Sequence, residues 1–134
     1  MSKLHLLFGI VAFAVFLVTG RFMRADFPDK DAIEQEFRML MRSRHIYILM
    51  AALAHILLGL YFEFRPQPAQ KALQILGSIF LFAGTVLLIY AFFYETYQLH
   101  GFSDLSRSGL YMTLAGTIFH ILGGIRLKSK NDER

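Results

Sequence analysis

Four long apolar blocks, at residues 4–20, 46–62, 72–94 and 108–125, leave this chain little choice of fold. A helix needs about 20 residues to cross the hydrocarbon layer of a membrane, and each block comes close to that length. Inside lipid the backbone has no water to bond, so such segments close their own hydrogen bonds as helices. The 134 residues are 55% hydrophobic with a mean hydropathy of +0.45, too apolar for a soluble domain of this size. The pattern predicts one all-α integral-membrane domain over residues 1–134. It is a bundle of four transmembrane helices, at approximately 4–22, 45–63, 70–98 and 105–126.

The connections sharpen that outline. Lys3 followed by Ala12-Phe13-Ala14 has the look of a signal peptide, but the apolar run continues to Val18, so a retained helix is expected. Residues 31–43 are predicted to be an amphipathic helix. Asp31 and Glu34 suit a capping box, and Ile33, Phe37, Leu40 and Met41 fall on one face. The acids come early and Arg38, Arg42 and Arg44 late, which complements the helix dipole. Such a segment either lies on the membrane surface or extends the second helix outward. Pro66 and Pro68 make a stiff turn before the third helix. Tyr90, Tyr94 and Tyr97 occupy an aromatic-belt position at its far end, and Gly101 with Ser103 or Asp104 suits a stop and a new start.

Lysine and arginine divide seven and seven between the two sides of such a bundle, so charge alone gives no orientation. The compact basic tail, Lys128 to Arg134, favours termini in the cytoplasm, with the chain in a bacterial cytoplasmic membrane. The net charge of +4 gathers at the ends of the apolar blocks. It anchors the chain to lipid phosphates and makes no nucleic-acid surface. Without cysteine there is no disulfide framework, thiolate metal site or catalytic thiol. No phosphate loop, zinc spacing or nucleophile motif is present.

One phrase occurs twice. His55-Ile56-Leu57-Leu58-Gly59 and His120-Ile121-Leu122-Gly123-Gly124 match at an offset of 65, with Arg42 on Arg107, Ser43 on Ser108 and Leu49 on Leu114. That gives seven identities over the eighteen positions 42–59. It suggests a tandem repeat of two helical hairpins, which would set both histidines at equal depth. His55, ten residues after His45, is expected near the middle of the membrane. Small residues flank each imidazole: Ala51, Ala52 and Gly59 around His55, and Gly116, Thr117, Gly123 and Gly124 around His120.

An imidazole in lipid needs a reason, and three are open. The first is helix packing, with small residues admitting close approach and the ring bonding across the gap. The second is a bis-histidine haem b of electron-transfer type, with His55 and His120 as metal ligands and Arg42, Arg44 and Arg107 as partners for the propionates. Arg42 and Arg107 lie thirteen residues from their histidines, roughly 20 Å along a helix, which is long for that contact. The third is a proton relay. His5 and His100 fall on opposite sides, and His45 sits at a hydrated edge, so no second site is expected. The layout is similar in arrangement to four-helix b-type cytochromes, although no motif of that family covers the chain. The competing class is a non-catalytic accessory or assembly subunit of a larger membrane complex. Its partners would be the bilayer, other membrane subunits or further copies of itself.

Overall fold

The computed structural model describes residues 1–27, 34–95 and 104–125. About nine-tenths of these are helical and none is in a strand. The elements are α1 (Ser2–Asp26), α2 (Gln35–Tyr61), α3 (Pro68–Tyr94) and α4 (Asp104–Gly124). The proposed features at Asp31, Ile33, Tyr97, His100, Gly101, Ser103 and the basic tail lie outside the described residues.

The amphipathic stretch extends the second helix. α2 begins ten residues earlier than the apolar pattern implies, and residues 35–43 are its first turns. Phe37 and Met41 turn into the bundle, while Glu34 stays exposed. α3 opens with Pro68 in its first turn, where the missing N–H would have had no helical partner. The preceding Gln67 is extended, as a residue before proline prefers to be. α1, α2 and α3 are each long and apolar enough to cross a membrane. The fourth block falls outside that group: over 21 residues α4 carries Ser106, Ser108, Thr113, Thr117 and His120, which lower its hydropathy.

Each helix turns one heptad-spaced seam inward. On α4 the buried positions are Ser106, Gly109, Thr113, Gly116, His120 and Gly123, alternating steps of three and four. On α3 they include Gln70, Gln74, Gly77, Leu81, Gly84, Leu88 and Ala91, ending at Glu95. α2 contributes Phe37, Met41, Arg44, Ile48, Ala51 and His55, and α1 contributes His5, Gly9, Ala12 and Thr19. A period of 3.5 is the signature of a left-handed bundle with side chains interlocking along the seam.

Small residues on those seams bring the backbones together. A Cβ on Gly84 would stand 2.8 Å from the Thr113 nitrogen and 2.9 Å from the Gly109 carbonyl, and one on Gly116 would stand 2.7 Å from the Gly77 carbonyl. α3 and α4 therefore pack backbone to backbone. α1 and α2 do the same, where a Cβ on Gly59 would meet Leu6 at 2.5 Å. α2 lies against α3 and joins the two hairpins. The contact is filled by Phe37, Met41, Ile48, Ala51, Leu88 and Phe92.

Candidate functional site

The seams place three histidines in one buried layer. His5 lies in the first turn of α1, His55 six residues before the end of α2, and His120 four before the end of α4. At 1.5 Å per residue these are roughly 5–9 Å from the helix ends, so the layer sits near one face of the bundle. His55 thus lies toward one end of α2, which extends ten residues beyond the apolar pattern at its other end.

His5 occupies the centre. Its Nδ1 is 2.8 Å from Nδ1 of His55, and its Nε2 is 3.0 Å from the Ser78 hydroxyl on α3. Nε2 of His120 reaches the same hydroxyl at 3.1 Å, and Nε2 of His55 reaches the Thr85 hydroxyl at 3.2 Å. Ser78 and Thr85 donate in turn to the carbonyls of Gln74 and Leu81 at 3.0 and 2.8 Å. His5 and His55 are both fully buried. Phe82 packs between them, its ring centre 4.7 Å from each, and Phe8 closes the side at 4.8 Å from His55. Phe62 stands edge-on to His120 at 5.1 Å.

The two histidines of the repeated phrase thus share a layer without facing each other, because His5 and Ser78 stand between them. The arginines are elsewhere. Arg44 is buried eleven residues before His55, roughly 16 Å away along α2. Arg42 and Arg107 are exposed, and Arg107 lies 3.9 Å from Asp104. Haem does not fit this packing. Both ring nitrogens of His55 are engaged with protein. The small faces that were to admit a macrocycle are filled, since a Cβ on Gly77 would touch His120 Cδ2 at 2.8 Å. Among the described residues no cluster of three or more His, Cys, Asp or Glu is placed to hold a metal ion.

Three further polar groups take partners that the sequence alone does not assign them. His45 is half-buried rather than hydrated, stacked on Phe16 with ring centres 4.0 Å apart and with Nδ1 2.9 Å from the Thr19 hydroxyl. Arg44 pairs with Glu95 at the far end of the bundle. Gln74 bonds the turn after α2, accepting from the Arg65 N–H at 3.0 Å and donating to the Glu63 carbonyl at 3.2 Å. The signal that could have found His5 was its register: positions 5, 9, 12, 16 and 19 repeat the seam, with Gly9 and Ala12 the small residues beside it. Comparison with protein-family models, curated proteins and solved structures finds no match, so the functional reading rests on this geometry.

Proposed function

We propose that this chain is an integral-membrane bundle of four crossing helices that acts as a non-catalytic accessory or assembly subunit of a larger membrane complex. The observation that carries the reading is how the interior histidines are used. His5, His55 and His120 turn ring nitrogens toward one another and toward Ser78 and Thr85, so that all four helices are tied at one level. Interhelical polar bonds of this kind fix rotation and depth where the hydrophobic effect cannot, because lipid is as apolar as leucine. The outward faces suit such a setting: Leu7, Ile10 and Val18 on α1, Leu57 on α2, Ile79 and Val86 on α3, and Ile118 and Ile121 on α4 are all exposed. On this reading the two hairpins descend from one repeated unit. Their closely packed partners, α1 with α2 and α3 with α4, support that origin, and the termini lie on the cytoplasmic side.

Purification from the native membrane tests this. A colourless protein that cross-links in the membrane to other subunits is the expected result. A Soret band that splits in the visible on reduction and is lost in His55→Ala would replace it with the haem reading. A protein that cross-links to nothing in its own membrane would reject the subunit role.

A further inference from the structure

Six polar contacts hold the histidine layer together, and they call for more protons than its side chains carry when neutral. The contacts join His5 to His55, His5 to Ser78, His120 to Ser78, His55 to Thr85, Ser78 to the Gln74 carbonyl and Thr85 to the Leu81 carbonyl, at 2.8–3.2 Å. Each needs one hydrogen. A neutral imidazole supplies one N–H and a hydroxyl one O–H, so three histidines, a serine and a threonine supply five.

The missing proton can be located. Carbonyls only accept, so Ser78 and Thr85 donate to them, and their oxygens accept from the imidazoles. His5 and His120 then both present Nε2–H to Ser78, which leaves Nδ1 of His5 bare. His55 must donate from Nδ1 to His5 and from Nε2 to Thr85. A ring that donates from both nitrogens is an imidazolium.

We propose that His5 and His55 together form a buried binding site for a single extra proton, whose uptake makes His55 an imidazolium that donates from Nδ1 to His5 and from Nε2 to Thr85. The 2.8 Å separation is the short distance of a charge-assisted bond. The rings around the pair suit a cation: Phe82 lies 4.7 Å from both imidazoles and stacks on His5 with its plane inclined by 27°. The other titratable or charged groups acting on His5 are His120 on α4 and the amino group of Met1 at the start of α1. α3 faces the pair with the uncharged Ser78, Thr85 and Phe82. A second proton would place an N–H on each of the two facing Nδ1 atoms and leave no acceptor between them, so the capacity is one. Release of the proton lets Thr85 turn its hydroxyl from Leu81 to His55, and five bonds then use five hydrogens. Proton binding thereby reverses the direction of the His55–Thr85 bond between α2 and α3 and frees the Thr85 hydroxyl to bond within α3.

The proposal rests on the packing reading, because a metal on His55 would take the lone pair that the proton uses. The test is nitrogen NMR of the full chain with 15N-labelled histidine in lipid bilayers, taken from about pH 8 to pH 4 across the range where imidazoles titrate. The expected result is uptake of one proton per chain by the pair. His55 would then show two protonated nitrogens, and a coupling across the hydrogen bond would link its Nδ1 to that of His5. His120→Gln, which keeps an N–H donor toward Ser78, retains the uptake, and His55→Gln abolishes it, with circular dichroism confirming helicity in both. Two independently titrating imidazoliums, or no doubly protonated ring down to pH 4, overturn the site. The unmodified chain decides the matter even where a variant fails to fold. A Soret band would overturn the packing reading, whereas a colourless protein without uptake overturns the proton site alone.

Discussion

Arg44 on α2 and Glu95 at the end of α3 form a buried ion pair at the end of the bundle opposite the histidines. Nε of Arg44 lies 3.6 Å from the Glu95 carboxylate, and Nη1 donates to the Glu95 backbone carbonyl at 2.6 Å. Ser106 on α4 donates to the same carboxylate at 2.6 Å, so three helices meet there. The residues are 3%, 1% and 2% exposed, which removes water as an alternative partner. Nη2 of Arg44 is buried without a partner among the described residues, and Glu95 is the anion that balances its charge there.

Removing one member should therefore be severe. Glu95→Ala is expected to destabilise the bundle by about 3–5 kcal/mol, because it strands a buried cation. The double variant with Arg44→Met should recover most of that loss. Reversible unfolding of the purified protein in detergent, compared across the two variants, checks both statements.

The glycine seams predict a contrast between neighbouring positions. In Gly84→Ala the new methyl would stand 2.7 Å from the Thr113 hydroxyl and 2.8 Å from its backbone nitrogen, neither of which can yield. A loss of about 1–3 kcal/mol is expected from that overpacking. Gly124→Ala meets nothing within 4 Å and should change stability by less than about 0.5 kcal/mol. Gly124 was expected on the packed face, but its Cβ direction points into open space, although Gln70 of α3 still bonds the next carbonyl, that of Ile125, at 2.8 Å. The same unfolding assay separates the two variants.

Gln74→Leu should loosen the turn between α2 and α3 while keeping side-chain volume. It leaves the Arg65 N–H and the Glu63 carbonyl without their partner, which at partly buried sites costs about 1–3 kcal/mol. Faster hydrogen exchange at the Arg65 amide is the specific readout. Arg65 would still hold the Gly124 carbonyl, at 2.8 Å, so α4 should keep its end.

His45 offers a way to separate stacking from hydrogen bonding. His45→Phe retains the contact with Phe16 and loses only the bond to Thr19, whose hydroxyl also donates to the Phe16 carbonyl at 2.8 Å. Its loss should stay below about 1 kcal/mol, while His45→Ala, which removes the stack as well, should lose about 1–3 kcal/mol. Equal losses in the two variants would show that the stacking contributes nothing.

Much of the architecture follows from the order of residues alone. Long apolar runs must become helices, prolines at 66 and 68 must break them, and the small residues beside His55 and His120, Gly124 excepted, face protein because close approach is their use. The heptad register of the seams was also present in the chain, since it is a periodicity of single residues. What each polar group would bond was not. His5 reads as a terminal residue, His45 as a hydrated edge and Arg44 as a partner for some anion, and nothing local contradicts those readings. Their roles depend on groups 50, 26 and 51 positions away, at His55, Thr19 and Glu95. The α2 extension decided which level of the bundle His55 would reach, and the rotation of α1 brought His5 into the gap between the repeated histidines. A buried donor takes whichever acceptor packing sets within about 3 Å, and that distance is a property of four helices together.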